Sequence, residues 1–344
     1  MRGVFLPGHR RVVVRDDLPA PVPGPGQLLV RVRASTICGS DIRAIYVEHK
    51  GVGAEAYQGV VAGHEPCGEV AAVGPGCAGW AVGERVVVYH IAGCGRCGEC
   101  RTGYQIGCTA PERAAYGWQR DGGHAEFLLA EQASCVRLPD SLSYLDGACV
   151  ACGFGTAYEG LRRAGVSGRD GVLVTGLGPV GLAVGMLARA LGAAPVIGTD
   201  FVPERRALAL GVGAVDHVLE PGNGLPATVR ELCPPGVSVA VDASGSPPGR
   251  LAALECLARW GRCVFLGEGG ELTVDVSRQL IHRQVTVYGS WVTSIGHMAE
   301  LLELLARWDL HPEKTVTHRF PLDQAAQAYR VAEGRGAGKV AILP

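Results

Sequence analysis

Short apolar runs, punctuated by glycine and proline, characterise the chain up to about residue 150. Examples are residues 27–34, 67–73 and 85–89, all of which contain at least two valines. Runs of this length with turn residues between them are typical of a compact β-barrel and not of units in which strands alternate with helices. The first part of the chain is therefore predicted to be a β-barrel-like domain.

The pattern changes at about residue 170, where short apolar runs begin to alternate with stretches of helical length. A helix is predicted over residues 179–191. The predicted strands cover residues 171–175, 195–200, 238–243, 262–267 and 284–288. Alternation of this kind builds a parallel sheet with helices on both faces, the doubly wound α/β class.

The last part of the chain contains a helical stretch at 298–307 and a final GKVAILP segment. This part is too short for a domain of its own, so we expect it to return to the first domain. The predicted domains are therefore residues 1–153 with 292–344, and residues 154–291. A chain of 344 residues is long enough for two domains.

Composition narrows the classes of partner and location. Lys and Arg number 32 against 33 Asp and Glu, so electrostatic binding to nucleic acid is not expected. No run approaches the roughly 18 apolar residues of a membrane span, and no signal peptide is visible. We therefore expect no membrane partner and a cytoplasmic location, where the 13 cysteines would be thiols or metal ligands.

A glycine-rich turn follows the strand predicted at 171–175 and opens the predicted helix. It reads Gly176-Leu177-Gly178-Pro179-Val180-Gly181 and fits G-x-G-x-x-G. Gly176 permits the tight turn, Gly178 lets the backbone approach a pyrophosphate, and Gly181 permits close packing of helix and strand. The free N–H groups at the helix start favour phosphate. The sequence predicts a dinucleotide site here, the alternative being a glycine-rich turn that binds nothing.

Asp200 lies 19 residues after Gly181, at the end of the next predicted strand. A carboxylate there accepts hydrogen bonds from ribose hydroxyls and repels a 2′-phosphate, which favours NAD over NADP. Phe201 follows, so no cation adjoins Asp200 along the chain. Arg205 and Arg206 come soon after it, so NADP stays open, and Arg205 is included among the candidate cofactor residues.

Four cysteines form a C-x2-C-x2-C-x7-C loop: Cys94, Cys97, Cys100 and Cys108. Four thiolates complete tetrahedral zinc and leave no open position, so a structural zinc is predicted. An iron–sulfur site is the first alternative, although clustered ferredoxins have three residues and not seven before the fourth cysteine. A redox C-x-x-C pair is the second, and it leaves two of the cysteines without a role.

Three further segments stand out: Ile37-Cys38-Gly39-Ser40-Asp41, Gly63-His64-Glu65 and Val150-Ala151-Cys152-Gly153-Phe154-Gly155. Each is unremarkable alone, because a single cysteine is usually a small buried hydrophobe. In this order, around the four-cysteine loop and before the glycine turn, they resemble the zinc-dependent medium-chain alcohol dehydrogenase family over nearly the whole chain. The resemblance implies a GroES-like β-barrel catalytic domain and a Rossmann domain.

The resemblance also implies a catalytic zinc bound by Cys38, His64 and Cys152, the Cys2His set of alcohol dehydrogenases. Cys149 remains an alternative to Cys152, because the two cysteines lie close together in CVAC. Such a site leaves one position for a substrate oxygen. Zinc then acts as a Lewis acid, and the dinucleotide accepts the hydride.

Further roles follow from the same resemblance. Ser40 would relay the substrate proton, Asp41 would orient His64, and Glu65 would be a movable carboxylate beside the zinc. Arg43 stands where the family often has a histidine, which leaves the exit of the proton relay open. Without the resemblance, an ordinary turn with surface acids explains Ser40, Asp41 and Glu65 equally well.

Residues near later strand ends are candidates for the nicotinamide site. They are Ala243, Leu266, Ser290 and Val292. Cofactors bind outside the carboxyl ends of parallel strands, although ordinary strand-ending loops are an equal alternative.

Four polar or aromatic side chains suggest the kind of substrate. His90 resembles a polar position of threonine dehydrogenases, and Tyr46, His49 and Tyr57 join it as candidates. They favour a secondary alcohol rich in hydroxyl or amine groups: a polyol, sugar, cyclitol or amino alcohol, with an aminoglycoside intermediate as a special case. Each could instead be a surface residue.

Two other functions compete with the dehydrogenase. One is an NADPH-dependent enone or quinone reductase of the same superfamily, which lacks both cysteine sets. The other is a nonenzymatic, regulatory protein that binds zinc and nucleotide. We also expect a homodimer or homotetramer that pairs through the strand predicted at 284–288.

Overall fold

The computed structural model describes residues 1–334 and 336–344. In chain order its strands are β1 (Gly3–Gly8), β2 (Arg11–Arg15), β3 (Gln27–Ile37), β4 (Glu65–Val73), β5 (Arg85–Val88), β6 (Ile91–Ala92), β7 (Ala114–Ala115), β8 (Phe127–Glu131), β9 (Cys135–Arg137), β10 (Val172–Thr175), β11 (Val196–Thr199), β12 (His217–Leu219), β13 (Val237–Asp242), β14 (Leu257–Phe265), β15 (Thr286–Gly289), β16 (Val316–Pro321) and β17 (Lys339–Leu343).

The α-helices are α1 (Gly39–Asp41), α2 (Gly98–Arg101), α3 (Tyr144–Cys149), α4 (Gly155–Ala164), α5 (Pro179–Ala190), α6 (Pro203–Gly211), α7 (Leu225–Leu232), α8 (Pro247–Glu255), α9 (Ile295–Trp308) and α10 (Ala325–Glu333). Turns of π-helix lie at Ile42–Tyr46, Val150–Phe154 and Val276–Ile281, and 3₁₀ turns at Gly53–Glu55, Gln105–Gly107, Gln132–Ser134, Pro312–Thr315 and Leu322–Gln324. Within the described residues, no helix combines the length and apolar character needed to cross a bilayer.

The described residues divide into two compact units. The first comprises Met1–Gly155 and Thr293–Pro344, and the second is Thr156–Val292. The sequence predicts one unit of residues 1–153 with 292–344 and another of residues 154–291. The predicted first segment ends two residues before Gly155, and the predicted last segment begins one residue before Thr293.

A mainly antiparallel sheet forms the framework of the first unit. Its strand order in the described residues is β16-β17-β3-β4-β5-β9, with β8 also paired to β3. The C-terminal strand β17 pairs antiparallel with β3, so that Val340 lies opposite Ile37 and Ala341 opposite Thr36. This pairing brings the end of the chain next to the segment that begins at Cys38.

A parallel sheet with the strand order β12-β11-β10-β13-β14-β15 forms the second unit within the described residues. Strand β10 lies between β11 and β13, so the winding direction reverses beside it, as in a doubly wound fold. The predicted fold class, a GroES-like unit with a Rossmann unit, is confirmed.

Burial explains the apolar runs of the parallel sheet. Every residue of β10 and β11 is buried, because helices cover both faces of the sheet and no face alternates with solvent. Strand β14 begins earlier than the predicted 262–267, and its first half contains the exposed Trp260 at φ 65°. A search for apolar runs does not detect the first half of β14, because that half contains polar and exposed residues.

Candidate metal and dinucleotide sites

Cys38, His64, Glu65 and Cys152 form one cluster in the first unit. One ligand atom from each lies within 4.8 Å of the others. Cys38 follows β3, His64 precedes β4, Glu65 begins β4, and Cys152 lies in the π-helical turn Val150–Phe154. Because these segments are far apart in sequence, spacing alone could not have assembled them, whereas the family resemblance named all four.

The sulfur of Cys152, and not that of Cys149, belongs to this cluster. Cys149 ends α3 and is buried, and burial raises the pKa of its thiol to about 12. Position, and not pKa, separates the two cysteines, because the hydrogen bond with Cys38 and burial also raise the pKa of the Cys152 thiol. The neighbouring Cys152 and His64 hold the pKa of Cys38 well below its usual range.

Asp41 fixes the imidazole of His64. Its Oδ1 lies 2.8 Å from His64 Nδ1, and its Oδ2 accepts a hydrogen bond from the Cys38 N–H at 2.9 Å. Burial opposes a positive charge on His64, but the Asp41 carboxylate raises its pKa. Because Nδ1 is engaged by Asp41, Nε2 is the ring nitrogen left for a metal.

Lys339 holds Glu65, and sequence reasoning missed this pair. Its Nζ lies 2.7 Å from Oε1 and 2.5 Å from Oε2 of Glu65, while Thr36 Oγ1 donates to Oε2 at 2.5 Å. The side chain of Lys339 is 4% exposed and that of Glu65 is fully buried. Burial raises the pKa of Glu65 and Lys339 opposes this rise. The sequence feature that could have indicated this pair is a lysine in the otherwise apolar segment KVAILP.

His90 lies beside the cluster as a neutral imidazole. The centroids of the His90 and His64 rings are 5.4 Å apart, and His90 Nδ1 lies 2.9 Å from the carbonyl oxygen of Ala151. Burial and His64 lower the pKa of His90 to about 4. A neutral ring whose Nδ1–H donates to a carbonyl keeps Nε2 as a hydrogen-bond acceptor.

Ser40 and Arg43 lie next to Cys38 along the chain. Ser40 is half-buried within α1, two residues after Cys38. Arg43 folds back over Gly39, with Nη1 3.3 Å from the position that a Cβ there would take. The side chain that replaces the family's relay histidine is thus directed back along its own helix.

Burial accounts for Tyr46 and Tyr57 without a substrate and corrects the expectation for these two, whereas His49 is exposed and stays a candidate. Tyr46 is fully buried and its ring packs against that of Tyr329, with centroids 5.1 Å apart. His49 Nε2 lies 2.8 Å from the Leu6 carbonyl oxygen. The buried Tyr57 hydroxyl accepts a hydrogen bond from the Leu6 N–H at 3.4 Å and donates one to a neighbouring carbonyl.

Cys94, Cys97, Cys100 and Cys108 form a second cluster, with their sulfurs all within 4.8 Å of one another. Backbone N–H groups point at these sulfurs: Cys97 N–H donates to Cys94 and Cys94 N–H to Cys108, both at 3.4 Å. Such N–H groups, first that of Arg96 and then that of Cys97, lower the pKa of Cys94 to about 6. This arrangement fits a tetrahedral metal with four thiolates.

The glycine turn of the second unit has the shape that a pyrophosphate needs. Gly176 adopts φ 88°, Gly178 precedes α5, and Pro179 and Val180 open the helix. A Cβ on Gly181 would lie 1.8 Å from the Gly176 carbonyl oxygen, so only glycine fits there. Because the first N–H groups of a helix have no acceptor within it, those at the start of α5 are available to bind an anion.

Asp200 is tied to this turn. Its Oδ2 accepts the Leu177 N–H at 2.8 Å, and its Oδ1 accepts the Val202 N–H at 2.9 Å. Arg205 Nη1 lies 3.7 Å from Asp200 Oδ2, and Arg206 Nη1 donates to the Asp200 carbonyl at 2.6 Å. No cation adjoins Asp200 along the chain, but two do so in space, which weakens the charge argument against a 2′-phosphate.

The candidate nicotinamide residues follow the carboxyl ends of the parallel strands. Ala243 follows β13, Leu266 follows β14, and Ser290 follows β15. Val292 adopts φ 62°, a strained conformation for a β-branched residue. The Ser290 hydroxyl is buried without a hydrogen-bond partner in the described part of the chain.

Sequence reasoning also missed Asp242, which orders the loop after β13. Its buried carboxylate accepts hydrogen bonds from the hydroxyl of Thr175 at 2.9 Å and from the N–H groups of Ser244 and Gly245. The carboxylate of Asp242 thereby joins the ends of β10 and β13, the two neighbouring strands between which the winding direction of the chain reverses. An aspartate at the end of an apolar run, VAVDASG, was the signal for it.

Comparison with known proteins decides the family. The model for the alcohol dehydrogenase GroES-like domain matches residues 24–140, and that for zinc-binding dehydrogenases matches residues 179–307. A zinc-type alcohol dehydrogenase-like protein of Escherichia coli, YphC, is 49% identical over 99% of this chain and 98% of its own. The chain belongs to the zinc-dependent medium-chain alcohol dehydrogenase family.

Other members of the family resemble this dehydrogenase along its whole length. The L-threonine 3-dehydrogenase of Pyrococcus horikoshii is 31% identical over 98% of this chain and 96% of its own. The structure of alcohol dehydrogenase TADH from Thermus sp. ATN1 superposes with a TM-score of 0.88 at 29% identity, covering 100% and 99% of the two chains. A putative zinc-binding dehydrogenase from Sinorhizobium meliloti, bound to NADP, gives 0.89 at 28% identity with the same coverage.

Membership in this family makes the protein an oxidoreductase of the alcohol dehydrogenase type. The nonenzymatic alternative therefore fails. Zinc dependence together with two thiol clusters also removes the zinc-free reductase alternative.

The glycine turn of this dehydrogenase provides a first test. Gly181→Ala should weaken dinucleotide binding at least about tenfold, because the added Cβ overlaps a carbonyl oxygen and must displace the turn. Fluorescence titration with NADH measures the Kd. Gly211→Ala, at the end of α6 with no atom within 4 Å of its added Cβ, is the matched control and should bind NADH like the parent. Equal affinity of the Gly181 variant and the parent would contradict the role given to this turn.

Proposed function

We propose that this enzyme transfers a hydride between a secondary alcohol and NAD(H), with catalytic zinc held by Cys38, His64 and Cys152. The observation that supports the proposal is the convergence of two sulfurs and one oriented imidazole within 4.8 Å. The donor set fits zinc, because thiolate and imidazole are its preferred ligands and three of them leave one position open. Four thiolates at Cys94, Cys97, Cys100 and Cys108 would hold the structural ion.

Residues around the proposed zinc ligands orient them and hold Glu65 beside them. Bound zinc supplies Lewis acidity that lowers the pKa of an alcohol, and the dinucleotide accepts the hydride. Asp41 holds His64 through Nδ1, which leaves Nε2 for the metal. Lys339 and Thr36 retain both oxygens of Glu65, so this fourth donor stays beside the ligands without completing the set. Ser40 Oγ accepts the proton that the substrate hydroxyl releases and passes its own hydroxyl proton to solvent.

His90 favours a substrate with a second polar group near the reacting carbon. Its Nε2 is an acceptor, because Nδ1 is directed at the Ala151 carbonyl. An additional hydroxyl or an ammonium group donates to such a nitrogen, whereas a simple aliphatic alcohol offers nothing to it. Polyols, sugars, cyclitols and amino alcohols, including aminoglycoside intermediates, meet this requirement. The relative from Pyrococcus horikoshii is named for L-threonine, an amino acid with a secondary alcohol.

NAD is the proposed coenzyme. Asp200 lies at the glycine turn, and each of its oxygens accepts one backbone N–H, which leaves lone pairs for ribose hydroxyls. Arg205 offsets part of its negative charge, so the preference over NADP should be moderate. We place the enzyme in the cytoplasm, because both metal sites need reduced thiols.

A substrate panel tests this function. Polyols, sugars, cyclitols and amino alcohols are each assayed by the absorbance of the reduced coenzyme with NAD and with NADP. We expect turnover of at least one secondary alcohol class, with kcat/KM about tenfold higher for NAD because of the repulsion between Asp200 and a 2′-phosphate. A zinc-loaded enzyme that oxidises only simple primary alcohols, or that prefers NADP, would contradict the proposal.

We also propose that the enzyme pairs through β15 as a homodimer, which can assemble further into a tetramer. Strand β15 is an edge of the parallel sheet, and exposed Val287, Trp260, Ile281 and Trp291 lie on it or in neighbouring segments. Exposed apolar edges of this kind pair with another chain. Sedimentation equilibrium should show a dimer or larger, and Val287→Glu should shift it towards monomer.

Val82→Glu is the matched control for this test, since Val82 is an exposed valine of the first unit, 68% exposed. It should leave the assembly unchanged. A monomeric parent enzyme, or the same shift in both variants, would refute pairing through β15.

A further inference from the structure

Arg113 is a largely buried arginine of the first unit whose ion-pair partner, Glu55, is 3.7 Å away and mostly exposed. It directly precedes β7, which pairs with β6 so that Ala114 lies opposite Ala92. The Tyr116 N–H donates to the His90 carbonyl oxygen at 2.9 Å. Arg113 is thus held on the strand pair that carries His90.

The guanidinium of Arg113 is largely buried but poorly paired. Its side chain is 15% exposed, and its buried Nε has no hydrogen-bond partner among the described residues. Its Nη1 is 3.7 Å from Glu55 Oε2, too far for a hydrogen bond, and the Glu55 side chain is 78% exposed. Arginine is always charged, and a charge removed from water without a partner is costly.

Arg120, seven residues along the chain, shows what a structural arginine of this region looks like. Its side chain is 25% exposed and its Nη1 bonds to Glu131 at 3.0 Å. The same guanidinium stacks over the Tyr116 ring at 4.6 Å. Arg113 has neither of these arrangements, so a purely structural role leaves its burial unexplained.

The surroundings of Arg113 connect it to the metal cluster. Trp118 Nε1 donates to the Glu55 carbonyl oxygen at 3.2 Å, and the Gly123 N–H donates to the Gly63 carbonyl oxygen at 2.7 Å. The segment from Glu55 to His64 therefore runs beside the one that follows Arg113. Ala115, two residues after Arg113, lies opposite Ile91, the residue that follows His90.

We propose that Arg113 anchors an anionic group of the substrate, so that the enzyme acts on a hydroxy acid or a phosphorylated alcohol and not on a neutral polyol. An oxyanion beside Arg113 would accept the N–H of Nε, which has no partner among the described residues, and His90 Nε2 would accept a hydroxyl or ammonium hydrogen of the same substrate. A planar guanidinium matches both carboxylate and phosphate oxygens in a two-point contact. The inference rests on the proposed dehydrogenase function and narrows its substrate class.

Matched substrate pairs test this inference. 3-Hydroxybutyrate is compared with 3-hydroxybutyramide, and threonine with threoninamide, to detect a carboxylate site. Glycerol 3-phosphate is compared with glycerol to detect a phosphate site. We expect one charged member to exceed its neutral partner about ten- to a hundredfold in kcat/KM, mainly through KM, because a charge-assisted hydrogen bond acts on binding.

Variants assign the preference to Arg113. In Arg113→Gln the ratio of charged to neutral kcat/KM should fall towards one, and Arg113→Lys should restore part of it. Glu55→Gln should keep the ratio or raise it, because it removes a nearby negative charge. Arg33→Gln is the matched control, an exposed arginine that pairs with Glu69 at 2.8 Å, and should leave the ratio unchanged.

Binding without turnover keeps the test independent of the proposed function. Calorimetric titration of the zinc-loaded protein with 3-hydroxybutyrate and with glycerol 3-phosphate should show tighter binding of one of them to the parent than to Arg113→Gln. Equal binding of both anions to the two proteins would overturn the inference. Turnover of neutral alcohols with charged-to-neutral ratios near one would also overturn it and leave the dehydrogenase function intact, whereas anion binding by Arg113 without any turnover would count only against that function.

Discussion

Replacing Cys38 with serine is expected to lower kcat/KM at least about a thousandfold while the Kd for NADH stays unchanged. Loss of one thiolate would weaken the proposed catalytic metal site, and Lewis-acid stabilisation of several kcal/mol corresponds to such a factor. The dinucleotide turn lies in the other compact unit, so its affinity should not respond. Steady-state kinetics and fluorescence titration give the two quantities.

Cys149→Ala is the control for this experiment. Cys149 lies three residues before Cys152 but is buried outside the cluster of ligand atoms, so turnover should survive its replacement. Cys152→Ser should behave like the Cys38 variant. Full activity of Cys38→Ser, or a loss of activity confined to the Cys149 variant, would show that the ligand set has been assigned wrongly.

Lys339→Met is expected to produce the second-largest effect, on both stability and activity. Removing one partner of a buried ion pair costs about 3–5 kcal/mol, which corresponds to a melting temperature lower by about 5–10 °C. The released Glu65 also becomes free to bind the metal. We therefore expect kcat to fall about ten- to a hundredfold, as for other changes behind metal ligands. Differential scanning fluorimetry and steady-state kinetics measure the two effects.

A double variant separates these two effects of Lys339. Adding Glu65→Gln to Lys339→Met removes the unpaired buried charge, so most of the melting temperature should return. Lys339→Arg, which keeps the charge, should lie between the parent and Lys339→Met. An unchanged melting temperature in Lys339→Met would mean that the pair with Glu65 contributes little to the fold.

Features set by neighbouring residues could be predicted from the sequence. The glycine turn and the four-cysteine loop each lie within a short segment, so the spacing of their residues along the chain indicates which atoms can come together. The strands of the parallel sheet were also accessible, because burial on both faces leaves continuous apolar runs such as β10 and β11. The proposed catalytic ligands required the family resemblance, since nothing local relates Cys38 to His64 or Cys152.

Contacts between distant segments were beyond sequence reasoning. Glu65 and Lys339 are 274 residues apart, and only the register of β17 on β3 brings them together. The same limitation applies to Arg205, whose approach to Asp200 depends on how α6 begins. Tyr46 was misjudged for a related reason, because a tyrosine in a site and a tyrosine in a core look alike until their neighbours are known.

Anomalous diffraction at the zinc edge would locate the metal ions of this enzyme. The enzyme is purified with zinc present, crystallised, and measured on both sides of the edge. We expect about two zinc ions per chain, one among Cys38, His64 and Cys152 and the other among the four loop cysteines. A peak at the four-cysteine loop with none at Cys38, in an enzyme that still oxidises its alcohol, would contradict this expectation.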